Sequence, residues 1–307
     1  MTKVRLFFTI IILCMFIQPV HAIRIGLITG VGKLNVGAST YANIIDVKTN
    51  KVLYTIDPMR NYIFKPYGNS IVIKVAGSYY TLNTDEVLIR PINQGFVSAK
   101  NKWYRGTFVI RNINEHLTLI NKLDMESYIQ GVVPAEMPSS WEYEAHKAQA
   151  IAARSYAAAN MGKRAKYGYD LKDTPEDQAY NGASAETKQT NKAVKDSYGI
   201  VLIYGLKVIP AYYSASAGGQ SKTWEKDLPY IHSVPSFDDG IKKNGHGVGM
   251  SQHGANNLAK QGYNAYQILK YFYTKIRFAK IKQDFYGSSK SKYNNLLRLL
   301  ASVNICL

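Results

Sequence analysis

From Ile23 to about Leu119, apolar and polar residues alternate in short runs separated by turn residues. Segments 23–28, 51–54, 71–75, 86–90, 105–110 and 116–120 each read as a strand, because alternation places every second side chain on one face. An Asn-rich turn at Asn112 and Asn114 separates the last two. This half predicts an all-β region, and it carries no obvious catalytic constellation. The pattern changes after Leu123. Pro134 and Pro138 break the chain, and 141–161 then reads as a strong helix. Ser139 and Glu142 have the spacing of a capping box, with Asn160 and Gly162 as stop signals. Eight alanines between Ala145 and Ala159 favour the helix and give it a slim face for close packing. A loop with Pro175 and Gly182 precedes a second helix near 184–196 and strands near 200–204 and 208–213. A Gly/His-rich loop then leads to a third helix near 251–262. The expected class is α+β: a β-rich N-terminal half, then a mixed α/β domain built on a long Ala-rich helix. The expected divisions are 1–22, 23–112, 113–275 and a basic tail at 276–307. No internal repeat is visible.

Residues 1–22 change the picture of where the chain works. Lys3 and Arg5 precede an apolar run from Leu6 to Val20, broken by Thr9, Gln18 and Pro19, and Val20-His21-Ala22 offers small residues at −3 and −1 of a cleavage site. This reads as a Sec signal peptide cut after Ala22, and the alternative is an uncleaved anchor. The expected location is therefore periplasmic or cell-wall associated. Leu13-Cys14 lacks the small residue that precedes a lipobox cysteine. With Cys14 in the leader, Cys306 stands alone and has no internal partner for a disulfide.

The chain has 307 residues and a net charge of +17, with 46% hydrophobic and 19% charged residues, so it is a folded protein rather than a disordered basic tail. Cleavage would remove two cations and no acid, leaving +15. An excess of cations favours an anionic partner. Export turns that preference away from nucleic acid and towards an anionic wall polymer, or a membrane surface touched by the basic tail.

Among the acids, Glu136 is flanked by Val132, Val133, Pro134, Ala135, Met137 and Pro138. Desolvation in such a setting disfavours the anion and suits a general acid, although an acid among apolar residues is more often a hydrogen-bonded structural group. Asp124 and Glu126 read as capping or surface groups. Lys147 and Arg154, seven residues apart on the Ala-rich helix, share nearly one face. From spacing alone the plainer reading is the solvated face of a basic protein. The segment from Gly245 to Ala255 holds four glycines that permit close backbone approach, with His246, Ser251 and Gln252 as donors and acceptors. It lacks the lysine of a phosphate loop and the spacing of a hydrolase elbow, and His246 with His253 makes a weak zinc signal. A polar ligand-lining loop is the better reading. The small-residue loop Tyr212-Tyr213-Ser214-Ala215-Ser216-Ala217-Gly218-Gly219-Gln220 has similar character. No cofactor or metal is expected.

Together these segments resemble the sporulation stage II protein D family, which includes the LytB-type amidase enhancers. The resemblance rests on Tyr128-Ile129 with Gly131-Val132-Val133 and Glu136-Met137-Pro138, then on Glu144-Ala145 with Lys147 to Tyr156. It continues through Gln178-Ala179-Tyr180 with Gly182, the Tyr213 to Gly219 loop, and Gly245 to Gln252 with Gly254-Ala255. It covers about 105–273. It implies a lytic transglycosylase that acts on peptidoglycan glycan strands, preferring strands stripped of stem peptides by an amidase. Glu136 matches the catalytic acid, and Lys147 and Arg154 match positions thought to line the groove. Tyr213, Ser214, Ser216, His246, Ser251 and Gln252 complete the expected substrate-binding set. Some members carry a zinc-binding cysteine pair where this chain has Lys172 and Asp177, so no structural zinc is expected. About ten residues separate Val234 from Gly245, against the family's usual several tens, which removes part of the groove wall. The alternative is a non-catalytic glycan-binding or amidase-enhancing protein.

Overall fold

A computed structural model describes residues 22–224, 228–281 and 304–306. The expected leader and most of the basic tail therefore lie outside the described residues. The α+β class holds, with strands dominating the first half and helices the second. The alternating N-terminal segments form two antiparallel sheets. One runs in the order Val52–Ile56, Ala42–Asp46, Glu86–Pro91, Thr107–Ile113, His116–Leu123, Ile23–Val31, and the short strand Leu171–Lys172 joins the far edge in parallel. The other runs Lys102–Tyr104, Val97–Ala99, Leu34–Ala38, Asn61–Tyr67, Ser70–Val75, Ser78–Thr81. Their inward residues, among them Ile25, Ile44, Phe64, Ile89 and Phe108, are fully buried. Alternation along each strand thus meets a face that needs covering.

The helices are α1 (Met125–Glu136), α2 (Tyr143–Ala159), α3 (Lys188–Asp196), α4 (Gln252–Lys260) and α5 (Ala265–Phe272). The sequence reading treated α1 as broken chain because of Pro134. The helix forms because Asp124 caps it, accepting the Ser127 N–H at 2.9 Å, and Pro134 falls in its last turn, shortly before the helix stops. The capping box expected from Ser139 and Glu142 does not form. Helix α2 begins at Tyr143, and the Glu142 N–H is instead taken by Asn256 Oδ1 at 2.9 Å. A capping box does form at α3, between Thr187 and Thr190. Helix α5, capped by Asn264 and Gln267, was not foreseen.

Helix α2 is buried along almost its whole length. Ala150, Ala153, Tyr156 and Ala157 belong to a core that runs from Ile23 to Ile281, while Ala145, Ala148, Ile151 and Ala152 belong to a second core with α4 and α5. Alanine lets neighbours close in from every side, so that His146, Gln149, Arg154 and Ser155 are enclosed along with the apolar residues. The β-rich half consequently shares its core with α1, α2 and α3, and α2 joins it to the second core under α4 and α5. The division expected at 112/113 falls inside the strand Thr107–Ile113, and that at 275/276 just precedes the strand Arg277–Lys280. That strand pairs with Ile200–Tyr204, so the first residues of the expected basic tail are sheet.

Candidate active site

Glu136 is the last residue of α1, so its side chain leaves the helix as the backbone turns towards α2. Its carboxylate gathers three donors from three separate segments. The Ala179 N–H donates to Oε1 at 2.7 Å, the Tyr213 hydroxyl to Oε1 at 3.4 Å, and Gln252 Nε2 to Oε2 at 3.1 Å. The residue keeps some exposed surface, but its carboxyl sits at the base of a cleft with protein on most sides. Burial raises its pKa above the ordinary glutamate value, and the three hydrogen bonds offset only part of that rise.

Each donor is itself held in place. Tyr128 donates to Gln178 Oε1 at 3.3 Å, and Gln178 Nε2 donates to the Tyr213 hydroxyl oxygen at 2.8 Å and to the Ala153 carbonyl at 3.2 Å. With its oxygen taken by Gln178, Tyr213 has its proton free for Glu136. Burial keeps this phenol neutral. The loop that delivers Ala179 is pinned by Asp177, which accepts from the Lys172 N–H at 2.8 Å, Lys163 Nζ at 2.6 Å and Arg164 Nε at 2.5 Å. Burial works against the Asp177 anion, yet these bonds hold its pKa below the usual value. Among the described residues, no group of three or more His, Cys, Asp or Glu side chains converges as a metal site would require.

The cleft above Glu136 has a volume of about 580 Å³. Tyr212 and Trp224 stack within it at 4.7 Å and 13°, and the His246 ring stands edge-on to them at 6.1 and 5.8 Å. His246 Nδ1 accepts the Val248 N–H at 2.9 Å, which places the proton of the neutral ring on Nε2. The ring lies on the exposed rim, but the atoms crowded beneath it push its pKa down, and nearby Lys243 adds to this. Tyr156, whose ring meets that of Tyr212 edge-on at 5.7 Å, Lys163 and Glu176 also line the cleft. An aromatic platform edged by polar groups above a protonatable carboxyl can hold a sugar ring and deliver a proton to it.

The Stage II sporulation protein (SpoIID) family model matches residues 113–204, which supply Glu136, Tyr128, Gln178 and Ala179. The amidase enhancer of Bacillus subtilis is 37% identical over 54% of this chain and 22% of its own length. Stage II sporulation protein D of the same organism is 25% identical over 65% of this chain and 86% of its own. The chain is thus similar to SpoIID/LytB proteins across this segment. An uncharacterized protein of Brachyspira hyodysenteriae is 31% identical over 62% of this chain and 58% of its own length. The chain thus spans 58% or less of two of the relatives it matches.

Of the expected site residues, Glu136, Tyr213, Ser214, His246 and Gln252 converge on the cleft. Ser214 Oγ accepts the Gly247 N–H at 3.2 Å and fixes the loop bearing His246. Ser216 and Ser251 are buried elsewhere. Ser216 donates to the Lys242 carbonyl at 2.7 Å, while Ser251 caps α4, accepting the Gly254 N–H at 3.1 Å and donating to Asp238 at 2.6 Å. Lys147 and Arg154, expected along the groove, do not reach it. Lys147 lies beside Glu144 at 3.5 Å and over the Tyr266 ring. Arg154 is wholly buried and pairs with Glu126 at 2.8 and 2.7 Å. The helix that carries both is enclosed, so a face shared on paper is not one that solvent reaches. Glu126, read as a surface group, is for the same reason buried, and Asp124 is a cap as foreseen.

Several residues that shape the site escaped the sequence reading. Asp238 is wholly buried and accepts from the Ala217 N–H at 2.6 Å, the Gly219 N–H at 2.7 Å, Ser251 at 2.6 Å and Ser236. Burial opposes its charge, but these four bonds hold its pKa below the ordinary value. It ties the short 235–244 connection to both small-residue loops. Trp224 and Lys163 were also missed, and Tyr212 was read only as the start of a small-residue loop. The one available signal was an aromatic residue beside each polar loop.

Proposed function

We propose that the cleft binds peptidoglycan glycan strands and that Glu136 makes the protein a lytic transglycosylase. The observation that carries this reading is a carboxyl whose pKa is raised by burial, set at the base of an aromatic-walled cleft and met by three neutral donors. In the protonated state Glu136 gives its proton to the oxygen between N-acetylmuramic acid and N-acetylglucosamine as that bond breaks. Ala179, Tyr213 and Gln252 stabilise the carboxylate that remains. The carboxylate then takes the proton of the muramic 6-hydroxyl as that oxygen closes on C1, yielding a 1,6-anhydro end and restoring the acid. An internal nucleophile makes a second carboxylate unnecessary, unlike the two-carboxylate glycosidases. Export supports the same reading, since residues 1–22 have the pattern of a cleaved leader.

The test digests amidase-stripped glycan strands with wild type and Glu136→Gln and analyses the ends by mass spectrometry. Anhydro ends from wild type alone are expected; none from folded wild type would sink the enzymatic reading. A second reading, a non-catalytic protein that binds strands and stimulates an amidase, is favoured by the name of the 37%-identical relative and by the short 235–244 connection. It predicts strand binding without cleavage, and faster release of stem peptides when an N-acetylmuramoyl-L-alanine amidase is added.

A further inference from the structure

None of the strands in the sheet that runs from Lys102–Tyr104 to Ser78–Thr81 carries an Asp or Glu. Its inward positions, such as Val36, Phe64, Ile73 and Val97, are buried, so the alternate positions share the outward face. Antiparallel register sets those outward side chains in rows across the strands. Trp103, Ser98, Gly37 and Asn61 form one row, and Asn35, Ile63, Lys74 and Tyr79 form the next. Lys65 stands opposite Val72 in a third. The loops joined to these strands hold the acids Asp57 and Asp85, and each is taken by a cation, Arg60 at 3.0 Å and Lys48 at 2.8 Å. At one end of the face, Asn35, Asn61, Ser98, Asn101 and Trp103 line a hollow of about 280 Å³. A Cβ on Gly37 would meet Ser98 Oγ at 2.8 Å and Asn61 Oδ1 at 2.9 Å, so two polar atoms converge over that glycine. At the other end the Tyr79 ring is 46% exposed, with Lys65 Nζ 4.9 Å and Lys74 Nζ 5.8 Å from its centroid. Strand spacing puts the two ends about 24 Å apart. The hollow also abuts a segment that borders the cleft above Glu136. Lys100 donates to Asp173 at 2.6 Å, Lys102 to Asn181 Oδ1 at 2.6 Å and the Trp103 N–H to Ser184 Oγ at 2.8 Å. Pro175, Glu176, Asp177 and Ala179 of that segment line the cleft.

We propose that this outward face is a second binding surface, for an acidic polysaccharide, and that a strand leaving the cleft continues across it. An indole and a phenol offer flat apolar surfaces to sugar rings, and side-chain amides match the hydroxyl and N-acetyl groups between them. Charge selects an acidic polymer, since Lys65 and Lys74 stand on strands with no carboxylate of their own. A bilayer is met by projecting aromatic rings, whereas Trp103 is half-buried in the wall of a hollow. The surface rests on the glycan reading for its polymer but uses none of the residues that line the cleft, so the two can fail separately. Two holds on one strand keep the protein on its polymer between successive events at the cleft.

The test measures calorimetric binding of three probes to full-length Glu136→Gln, which prevents turnover: long amidase-stripped glycan strands, the same strands with their carboxylates converted to methylamides, and a tetrasaccharide that reaches the cleft alone. Two linked contacts should make the long acidic strand bind on the order of a hundredfold more tightly than the tetrasaccharide. Adding Lys65→Ala, Lys74→Ala and Trp103→Ala together should remove most of that gain while leaving tetrasaccharide affinity within about twofold. Asn35→Asp with Asn61→Asp, which puts acids at two exposed positions without touching the core, should weaken the long strand in the same way. Unchanged long-strand affinity in both variants, or an equal loss for the tetrasaccharide, overturns the surface and leaves the cleft reading standing. Long strands that bind and are lost in both variants, with no tetrasaccharide binding by any form, would keep the surface and sink the cleft reading. Equal binding of acidic and methylamide strands overturns the acidic assignment. Tighter binding of poly(glycerol phosphate) or of anionic phospholipid vesicles, lost in both variants, overturns the polysaccharide assignment.

Discussion

Arg154 is where the resemblance and the geometry part most sharply, and one substitution decides between them. Its guanidinium has no exposed surface, and the Glu126 side chain is 12% exposed. Besides the two bonds to Glu126, the guanidinium donates to the Ile200 carbonyl at 3.0 Å, and Glu126 Oε1 accepts the Gly199 N–H at 3.2 Å. The pair thereby joins α1, α2 and the strand Ile200–Tyr204. Arg154→Met leaves a buried carboxylate without its counter-ion, which costs about 3–5 kcal/mol, or roughly 6–20 °C in Tm for a domain of this size. Removing both charges together, Glu126→Leu with Arg154→Met, should recover most of the loss, because an apolar pair of similar volume avoids the desolvation of two ions. The double-mutant cycle should show a coupling of about 2 kcal/mol or more. The assay is urea unfolding followed by fluorescence at pH 7, with oligosaccharide affinity measured well below the unfolding transition. A fully folded Arg154→Met with unchanged Tm and weakened oligosaccharide binding would refute the structural role and return Arg154 to the groove.

Other substitutions test the remaining claims. Since burial raises the Glu136 pKa, folding favours its protonated form; its stability is intact below the unfolded value of about 4.3 and is eroded as pH rises through the folded value. Glu136→Gln should therefore unfold at a higher temperature than wild type at neutral pH, with the two curves converging at about pH 4; a constant gap across pH would count against a raised pKa. Asp238→Asn replaces an anion that accepts four hydrogen bonds and should cost about 2–4 kcal/mol, seen as a lower urea midpoint together with weakened oligosaccharide binding. Gln149 is fully buried on α2 and neither its amide nitrogen nor its oxygen has a partner among the described residues. Gln149→Met should raise stability by about 1–2 kcal/mol, and a lower melting temperature would show that the amide is in fact satisfied.

What the sequence made legible follows from the range of the forces involved. Alternation, being local, marked six of the N-terminal strands but passed over others such as Leu34–Ala38, Ala42–Asp46 and Asn61–Tyr67, and the apolar neighbours of Glu136 foretold a carboxyl out of water. Helix α1 was missed because Pro134 reads as a breaker unless its position in the final turn is known. Arg154 was misplaced because periodicity tells which residues share a face but not which face meets solvent, and α2 has no solvent face. Asp238 could not have been found by spacing: its partners Ala217, Gly219 and Ser251 come from two other loops and offer mostly backbone N–H groups, which every residue has. The aromatic platform was invisible for the same reason, Tyr212 and Trp224 being brought together only by the fold.

Three acids near the cleft are buried, and their surroundings separate them by chemistry. Asp177 has two cations and a backbone N–H, Asp238 has four neutral donors with the three measured bonds at 2.6 to 2.7 Å, and both are held as anions. Glu136 has three neutral donors at 2.7, 3.1 and 3.4 Å and no cation, and it alone of the three is raised. The difference is one of enclosure and charge: the Glu136 carboxyl is the most desolvated of the three, with neither the cations that meet Asp177 nor the fourth donor that meets Asp238. Asp177 and Asp238 are supplied well enough to serve as fixed ties, one for the loop carrying Ala179 and the other for the loops around His246. Through those loops they fix the Ala179 N–H and the His246 wall around Glu136. A carboxyl enclosed without a cation retains its proton nearer neutral pH and finds its three donors once that proton is gone. On this view the two structural carboxylates are part of what makes the third an acid.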